Sequence, residues 1–259
     1  MEELQFRLEA GVATLTLNRP SHLNALSESL LTALSAQLAR CTADEAIRVV
    51  VIAGGGAHFC AGHDLAQMIA QSSIQAHQRL FALCSKVMLQ IQQLRQPVIA
   101  RVDGTATAAG CQLVAQCDLA IASSRSRFAV SGVNLGLFCS TPSVALSRNI
   151  GRKQAFEMLV TGAFIDAPTA LARGLINQVV EQNELDAALQ SLCASIIAKP
   201  AHTITQGKQL FYRQHELGLA AAYQLAGQTM ACNMMHEDAQ EGVQAFLDKR
   251  PPLWSADKC

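Results

Sequence analysis

Charged residues are scarce in this chain of 259 residues. Only 15% of the residues are charged, against about 25% in an average soluble protein. The 20 Lys and Arg balance the 20 Asp and Glu, so the formal net charge is zero. A neutral chain lacks the basic face that attracts nucleic acids and anionic membrane surfaces. Because half of the residues are hydrophobic, the composition of a disordered chain is excluded as well.

Long hydrophobic runs suited to a lipid bilayer are also lacking. The charge-free stretches 128–147 and 217–236 have the length of a membrane span, but both contain several amide and hydroxyl side chains. The sequence begins Met1-Glu2-Glu3, without the basic and apolar segments of a secretory signal. We therefore expect no membrane partner, and a location in the cytoplasm, or in the mitochondrial matrix if the source is eukaryotic.

The nine cysteines lack the spacing of a metal site or a disulfide framework. Their number is odd and none of them forms a CxxC pair, which favours reduced thiols in an intracellular compartment. The nearest pair, Cys111 and Cys117, has no second pair and no histidine at ligand spacing. No metal site is predicted.

Strand patterns and helix patterns alternate through the first three quarters of the sequence. Predicted strands, with period-two or continuous apolar character, cover 4–8, 12–17, 48–53, 97–102 and 118–123. A helix capped by Ser27 and a longer helix over 73–95 lie between them, and a turn of small residues with a third helix covers 104–117. This order predicts an α/β fold whose strand ends carry the ligand-binding loops.

The last quarter of the sequence is predicted to be purely helical. Helix patterns cover 200–212, 217–236 and 237–248, and strand patterns end near residue 196. We therefore divide the chain into a core, 1–195, and a C-terminal helical region, 196–259. The uncharged, Met-rich helix 217–236 must bury an apolar face, either on its own core or on another subunit. A subunit contact is favoured, because uncharged helices seldom face water.

Common nucleotide and hydrolase motifs are absent. Gly54 and Gly56 follow a strand, but Phe59 stands where a dinucleotide-binding loop has its third glycine, and no acidic residue ends a second strand. No Lys-Ser or Lys-Thr follows these glycines, as a P-loop requires, and no Gly-x-Ser-x-Gly elbow occurs. Rossmann, P-loop and ordinary triad-hydrolase functions are excluded.

Two turns built from small residues are the candidate site. Segments 59–65 (FCAGHDL) and 104–112 (GTATAAGCQ) each lead from a strand into a helix. Small side chains let a ligand approach the backbone, and free N–H groups at a helix start can bind an anionic oxygen. Two such turns could direct two N–H donors at one carbonyl oxygen. The alternative is that small residues only allow tight helix–sheet packing.

At these residues the sequence resembles the crotonase (enoyl-CoA hydratase/isomerase) superfamily over essentially the whole chain. The landmarks in chain order are 18–26 (NRPSHLNAL), 59–65, 102–104 (VDG), 109–113 (AGCQL), 117–120 (CDLA), 161–162 (TG), 172–180 (ARGLINQVV) and 241–246 (EGVQAF). Within the superfamily, the likeness is greatest to the enoyl-CoA hydratase domain-containing protein 3 group. It rests on 85–88 (SKVM), 109–115 (AGCQLVA) and 132–142 (GVNLGLFCSTP).

The resemblance implies a spiral of ββα units, a C-terminal helical region that trimerises, and usually a dimer of trimers. It implies an acyl-CoA thioester as ligand, in fatty acid metabolism, with coenzyme A entering as part of the substrate and no separate cofactor. The backbone N–H groups of His63 and Ala109 would form the oxyanion hole. The residues implied in binding the substrate or coenzyme A are Arg19, His22, Cys60, Ala61, Asp64, Leu65, Gly110, Cys139, Phe246 and Lys249. Of these, Arg19 and His22 would lie near the nucleotide phosphates, 60–65 along the adenine, and Phe246 and Lys249 often at the next subunit's site.

The sequence departs from the family at its two catalytic glutamates. Hydratases of this family use both glutamates as acid and base, and Gln112 and Gly132 stand in their places here. From 104 through 152, Asp118 is the only carboxylate, and its family counterpart does not face the substrate. General acid–base groups contribute roughly 10²–10⁴ each in rate. Efficient hydration of crotonyl-CoA is therefore not expected.

An oxyanion hole without these glutamates can still stabilise a thioester enolate. Decarboxylation of a malonyl-type thioester forms that enolate without a protein base. Segments 61–65 and 133–136 resemble those of methylmalonyl-CoA decarboxylases, although those enzymes have a tyrosine where Cys139 stands. We favour an enzyme of this lyase type. The alternatives are a weak hydratase or isomerase with another base, and a non-catalytic acyl-CoA-binding or regulatory protein.

Several side-chain roles remain open from the sequence. The His63 imidazole can hold an anionic group or deliver a proton, or it can serve only as a wall of the pocket. Gln112 can orient a water molecule or the thioester. Cys111 and Cys139 would be nucleophiles only beside a base, and such residues are more often buried apolar fillers.

Overall fold

Strands and helices alternate as far as Val180, and helices follow to the end of the described chain. A computed structural model describes residues 2–255. The strands are β1 (Leu4–Glu9), β2 (Val12–Leu17), β3 (Val49–Gly54), β4 (Val98–Val102), β5 (Thr105–Thr107), β6 (Leu119–Ser123), β7 (Arg127–Ala129), β8 (Ile165–Asp166) and β9 (Gln178–Val180). The helices are α1 (Glu28–Ala43), α2 (Leu65–Ala70), α3 (Ile74–Gln93), α4 (Ala109–Gln116), α5 (Ser140–Asn149), α6 (Arg152–Thr161), α7 (Ala167–Ala172), α8 (Leu185–Ile197), α9 (Ala201–His215), α10 (Leu219–Met234) and α11 (Glu237–Leu247). Three short 3-10 helices cover Pro20–His22, Ser131–Leu135 and Gln182–Glu184.

Two sheets form the framework. The larger has six strands in the order β1-β2-β3-β4-β6-β9. The pair β1–β2 is the predicted antiparallel hairpin, and the other neighbours run parallel. The smaller sheet contains β5, β7 and β8. Because β3 and β4 are parallel neighbours, their carboxyl ends lie at one edge of the larger sheet, and the segments that follow them can meet there.

The larger sheet is covered on both faces, as the apolar run of β3 predicts. Val50 and Ile52 belong to the main core with residues of α1, α3 and α4. Val49 and Val51 point to the other face and pack with Cys193 of α8. Alternation along the strand therefore supplies side chains to two cores.

The predicted helix starts are confirmed at two positions. Ser27 accepts a hydrogen bond from the backbone N–H of Leu30 and caps α1, and Ser73 accepts one from Ala76 and caps α3. Serine oxygens satisfy N–H groups that a helix leaves free at its start. The sequence pattern predicts no elements over 124–195, whereas the structure has β7 to β9 and α5 to α8 there.

The C-terminal helices are confirmed, and they contact the core through a polar anchor. Within α9, all of which the structure describes, Lys208 is the only buried residue. Its Nζ donates to Asp118 Oδ2 at 2.6 Å and to the carbonyl oxygens of Ile91 and Gln96, both at 2.9 Å. Tyr212 donates its hydroxyl to the other oxygen of Asp118 at 2.6 Å. Asp118 is thereby engaged by the tail.

Much apolar surface of the tail is left exposed in a single chain. The most exposed large side chains of α10 and its end are Leu219, Tyr223, Met230 and Met235, each at least 70% exposed. This exposure is what the predicted subunit contact requires, and the oligomeric state stays a prediction. None of the helices in the described part of the chain combines the length and apolar character needed to cross a bilayer.

Candidate functional site

The two small-residue turns predicted as the site lie against each other. Cys60 donates its backbone N–H to Thr105 O at 3.1 Å, and Thr107 returns a hydrogen bond to Cys60 O at 2.9 Å. This short parallel bridge joins the loop after β3 to strand β5. The turn that carries His63 and the start of α4 that carries Ala109 are therefore neighbours.

Two glycines allow this approach. A methyl group on Gly110 would overlap the carbonyl oxygen of Cys60, and one on Gly62 would lie 2.8 Å from the Ala108 Cβ and 3.1 Å from Ala109 N. Gly62 also has a φ of +94°, which disfavours any other residue. These contacts support the packing alternative at both glycines, and the role of the small residues in admitting a ligand stays a prediction.

The backbone N–H groups of His63 and Ala109 have no acceptor among the described residues. Ala109 is the first residue of α4, and no described side chain caps that helix. The preceding Ala108 has φ 50° and ψ −123°, a conformation that costs an alanine about 1–3 kcal/mol. Such strain is frequently retained at functional sites. The sequence offers no signal for it, because alanine is not typical of positive φ.

The His63 ring lies in an apolar setting. It meets Phe81 of α3 edge-on, with ring centroids 5.4 Å apart and an interplanar angle of 73°. Both ring nitrogens are buried and make no hydrogen bond of standard geometry within residues 2–255. Burial lowers the pKa of His63 below its ordinary value of 6.5, and the backbone of Leu26 opposes this shift only in part. The ring is therefore neutral at pH 7, and its unpaired nitrogens can receive a polar group of a ligand.

Gln112 shares a helix face with Ala109, three residues earlier. It is only 4% exposed, and its Oε1 is buried without a hydrogen-bond partner in the described chain. An unpaired buried amide oxygen is costly, so this residue too is suited to contact a ligand or a water molecule.

Gly132 lies in a loop that folds back on itself. Its N–H donates to Cys139 Sγ at 3.3 Å and its carbonyl accepts from Leu137 N at 3.0 Å. A Cβ at this position would lie 2.5 Å from Leu137 O and 2.8 Å from Cys139 Sγ. The loop conformation therefore leaves no room for any side chain at 132.

The thiols near the site are not activated. Burial raises the pKa of Cys60 and of Cys111 to about 12, and burial also raises the pKa of Cys139. A thiol with such a pKa carries almost no thiolate at neutral pH. The filler interpretation of these cysteines is the one that the environment supports.

Arg19 lies beside the first turn with its charge already paired. Its guanidinium contacts Glu3 at 3.0 Å, Asp64 at 2.9 Å and the carbonyl oxygen of Ala25 at 2.6 Å, and its side chain is 12% exposed. The neighbouring His22 is exposed and its Nδ1 lies 3.0 Å from the Ser21 hydroxyl. Their assignment to the nucleotide phosphates stays a prediction.

The structure brings together most of the predicted binding residues but not those of the tail. Cys60, Ala61, Asp64 and Leu65 lie in the first turn or at the start of α2, and Gly110 lies in the second turn. Phe246, which is 81% exposed, and Lys249 lie at the end of α11. No residue within 2–255 buries either side chain. Their predicted role is thus left to a contact between subunits.

A wide open groove lies elsewhere in the molecule. With a volume of about 1370 Å³, it runs between α8 and the hairpin of β1 and β2, and Thr14, Thr16 and Arg101 are among its lining residues. None of the predicted site residues lines it. The portion of the chain that is described contains no group of three or more His, Cys, Asp or Glu suited to hold a metal ion.

Comparison with known proteins connects this site to a family. Residues 7–257 match the family model described as enoyl-CoA hydratase/isomerase. A crystal structure of enoyl-CoA hydratase from Mycobacterium smegmatis superposes with a TM-score of 0.96 at 57% identity, over 97% of this chain and 98% of that one. The crystal structure of human enoyl coenzyme A hydratase domain-containing protein 3 gives 0.95 at 42% identity, over 97% of this chain and 100% of that one.

A curated relative gives the same result. Mitochondrial enoyl-CoA hydratase domain-containing protein 3 of Mus musculus is 43% identical over 249 residues, which are 96% of this chain and 83% of the relative. The matches extend over both the sheet framework and the C-terminal helices. They confirm the resemblance inferred from the sequence landmarks and the crotonase-type α/β fold.

Proposed function

The chain belongs to the enoyl-CoA hydratase/isomerase family, and from this premise we propose that it binds an acyl-CoA thioester and stabilises its enolate. The thioester carbonyl accepts hydrogen bonds from the backbone N–H groups of His63 and Ala109. The observation that carries the proposal is that these two N–H groups, on touching turns, have no acceptor within the described chain. Removing one donor from an oxyanion hole typically costs about 3–4 kcal/mol of transition-state stabilisation.

The reaction that fits this site is decarboxylation of a malonyl-type thioester. The bond between the α-carbon and the carboxylate breaks, CO₂ leaves, and the electron pair enters the enolate. A proton is then taken up at the α-carbon. No protein base is needed for the first step. This suits a site in which Gln112 and Gly132 occupy the positions of the family's glutamates.

The His63 imidazole is the candidate to contact the departing carboxylate or to deliver the proton. Its neutral ring can donate through one nitrogen and accept through the other. The unpaired Oε1 of Gln112 can hold a water molecule beside the enolate. Because the thiols are protonated, Cys111 and Cys139 serve as walls in this proposal.

We also propose that the protein works as a trimer or a dimer of trimers. The exposed apolar side chains of α10 and the 81% exposed Phe246 support a contact with a second copy. Such a contact would bring Phe246 and Lys249 to a neighbour's coenzyme A. The assembly would bury apolar surface that a single chain exposes to water.

The test offers the purified protein crotonyl-CoA, malonyl-CoA and methylmalonyl-CoA, and measures binding by calorimetry alongside turnover. We expect binding, release of CO₂ from a malonyl-type thioester, and very slow hydration of crotonyl-CoA. His63→Ala should reduce CO₂ release, whereas His202→Ala, an exposed histidine of α9, serves as the matched control.

Three other results would contradict parts of the proposal. Fast hydration of crotonyl-CoA that is lost in His63→Ala but kept in Gln112→Ala would identify a hydratase with another base. Binding without turnover of any thioester would identify a non-catalytic acyl-CoA-binding protein. Failure of every thioester to bind would remove the oxyanion-hole assignment itself.

A further inference from the structure

We infer that Arg19 is a positioning residue, whose guanidinium holds the turn that carries the His63 N–H, rather than a ligand of the coenzyme A phosphates. The inference rests on the proposed function, since it concerns the geometry of the oxyanion hole. It also replaces the role that family resemblance assigns to this arginine.

The contacts of Arg19 connect three segments that are far apart in the sequence. One guanidinium nitrogen donates to the carbonyl oxygen of Ala25, just before α1. Another donates to Asp64 Oδ2, at the start of α2. The Nε faces Glu3, just before β1, at 3.0 Å. The planar fork of an arginine can satisfy several acceptors at once in a fixed geometry.

Two of these segments, the one before α1 and the one at the start of α2, hold the residues next to His63. Leu26 donates its N–H to Gly62 O at 2.7 Å and accepts from Asp64 N at 3.3 Å, so it holds the residues on both sides of His63. Arg19 binds Ala25, which precedes Leu26, and Asp64, which follows His63. The guanidinium therefore connects the chain segments on both sides of His63, whose backbone N–H is free of an acceptor among the described residues.

The second oxygen of Asp64 further fixes the position of this residue. Its Oδ1 accepts from the backbone N–H of Gln67 at 3.1 Å and caps α2. Burial alone would raise the pKa of Asp64, but the hydrogen bonds from Gln67 and Arg19 and the charge of Arg19 outweigh burial and lower the pKa. Asp64 is therefore ionised at neutral pH and keeps both contacts.

The local charge disfavours a phosphate ligand for Arg19. A hydrogen bond from Ser29 holds the pKa of Glu3 below its usual value, with further help from Ser27 and Arg19. Two ionised carboxylates thus face one guanidinium, which leaves an excess negative charge beside it. An approaching phosphate would have to displace a carboxylate from a side chain that is 12% exposed. This exchange costs contacts and adds like-charge repulsion.

The test uses Arg19→Lys, which keeps the positive charge but loses the fork. The probes are butyryl-CoA and butyryl-pantetheine, a thioester that lacks the nucleotide and its 3′-phosphate and diphosphate. We expect the variant to bind both probes more weakly by the same factor, roughly tenfold for one weakened hydrogen bond. The infrared band of the bound, ¹³C-labelled thioester carbonyl should shift back towards its position in free solution.

Controls separate positioning from folding. Arg40→Lys, at an exposed arginine in the last turn of α1, should change neither affinity nor the band. If Arg19→Lys does not fold, Asp64→Asn replaces it, because it weakens the same ion pair and should shift the same band. Melting temperatures measured in parallel show that each variant is folded when it is tested.

Each alternative result is decisive. Loss of affinity for butyryl-CoA without loss for butyryl-pantetheine would show that Arg19 binds phosphate and would overturn the inference. An unchanged carbonyl band in a folded variant would overturn it as well. If the unaltered protein binds neither thioester, the proposed function fails, a result that is distinct from failure of the positioning role.

Discussion

Helices α4 and α9 are attached to the same sheet framework in opposite ways. Every residue of α4 except Gln116 is buried, and all of them have small or uncharged side chains. In α9 the one buried residue is the charged Lys208. Helix α4 is held by close packing, through backbone contacts that only glycine permits. Helix α9 is held by a buried ion pair and its hydrogen bonds.

The two kinds of attachment suit different structural requirements of α4 and α9. In the proposed oxyanion hole the N–H of Ala109 would have to be placed to a fraction of an ångström, and close-packed backbone can provide this. In the proposed assembly the tail would need one defined docking position on the core and an apolar face free for another subunit. A buried ion pair contributes little net stability, but breaking it is costly. Such a pair can therefore fix where α9 docks.

The largest expected effect comes from removing the polar anchor. Lys208→Met should destabilise the protein by about 3–5 kcal/mol, because it leaves the Asp118 carboxylate buried without its cation. Burial lowers the pKa of Lys208, while Asp118 opposes that shift. Urea denaturation measures the loss, and limited proteolysis between α8 and α9 tests whether the tail is released first.

Two matched variants check the origin of that loss. Tyr212→Phe removes one hydrogen bond to the same carboxylate and should cost about 1.5–3 kcal/mol. Lys208→Met combined with Asp118→Asn removes both charges and keeps an oxygen that can accept the Val98 N–H, which donates to Asp118 at 2.6 Å, so part of the stability should return. A single Lys208→Met variant as stable as the unaltered protein would show that the tail does not depend on this anchor.

The next effect concerns the backbone contact in the core. Gly110→Ala should cost about 1–3 kcal/mol or more, because its methyl group would overlap the Cys60 carbonyl oxygen. The two turns would then separate, and thioester binding should be lost with the stability. Thermal denaturation and calorimetry measure the two effects. A folded variant with full thioester affinity would mean that the turns need not touch.

Local patterns made much of this predictable from the sequence. The hairpin, the caps of α1 and α3, the buried strand β3 and the tail helices depend on neighbouring residues, and the sequence contains them. The two glycine-bearing turns were predicted for the same reason. The family landmarks, which span the whole chain, supplied the architecture.

Contacts between distant residues were not predictable. Arg19 and Asp64 are 45 positions apart, and the resemblance implies a ligand contact for each of them but no contact with each other. The closed loop at Gly132 depends on Leu137 and Cys139 folding back, and no pattern indicates that return. Short strands such as β7 and β8 become strands only through their mutual pairing.

A third prediction concerns the pH dependence of stability that His63, in the turn next to α4, should cause. Burial lowers the pKa of His63. At a pH just below 6.5, His63 therefore binds a proton in the unfolded chain more readily than in the folded chain. The stability of the unliganded protein should therefore be fully present above pH 6.5 and fall as the pH drops below that value. Urea midpoints on both sides of pH 6.5 measure the slope.

His63→Phe provides the control for this pH dependence. Phenylalanine keeps the apolar contact with Phe81 and removes the titration, so the slope just below pH 6.5 should become shallower. Glu3 and Asp64 also have lowered pKa values, but their contribution is lost only further down, below their ordinary values of 4.5 and 3.8. An unchanged slope in His63→Phe would show that the titration of His63 does not cause the acid sensitivity.

The smallest effect has the opposite sign and concerns a glycine of the tail. Gly227 lies inside α10 with no atom within reach of an added Cβ, in contrast to Gly110. Gly227→Ala should therefore stabilise the isolated chain by about 0.5–1 kcal/mol through helix propensity alone. Denaturation midpoints at low and high protein concentration measure the change. Stabilisation at low concentration with weaker assembly at high concentration would place Gly227 against a second copy, where α10 is packed as closely as α4. Destabilisation at every concentration would contradict the open setting of this helix.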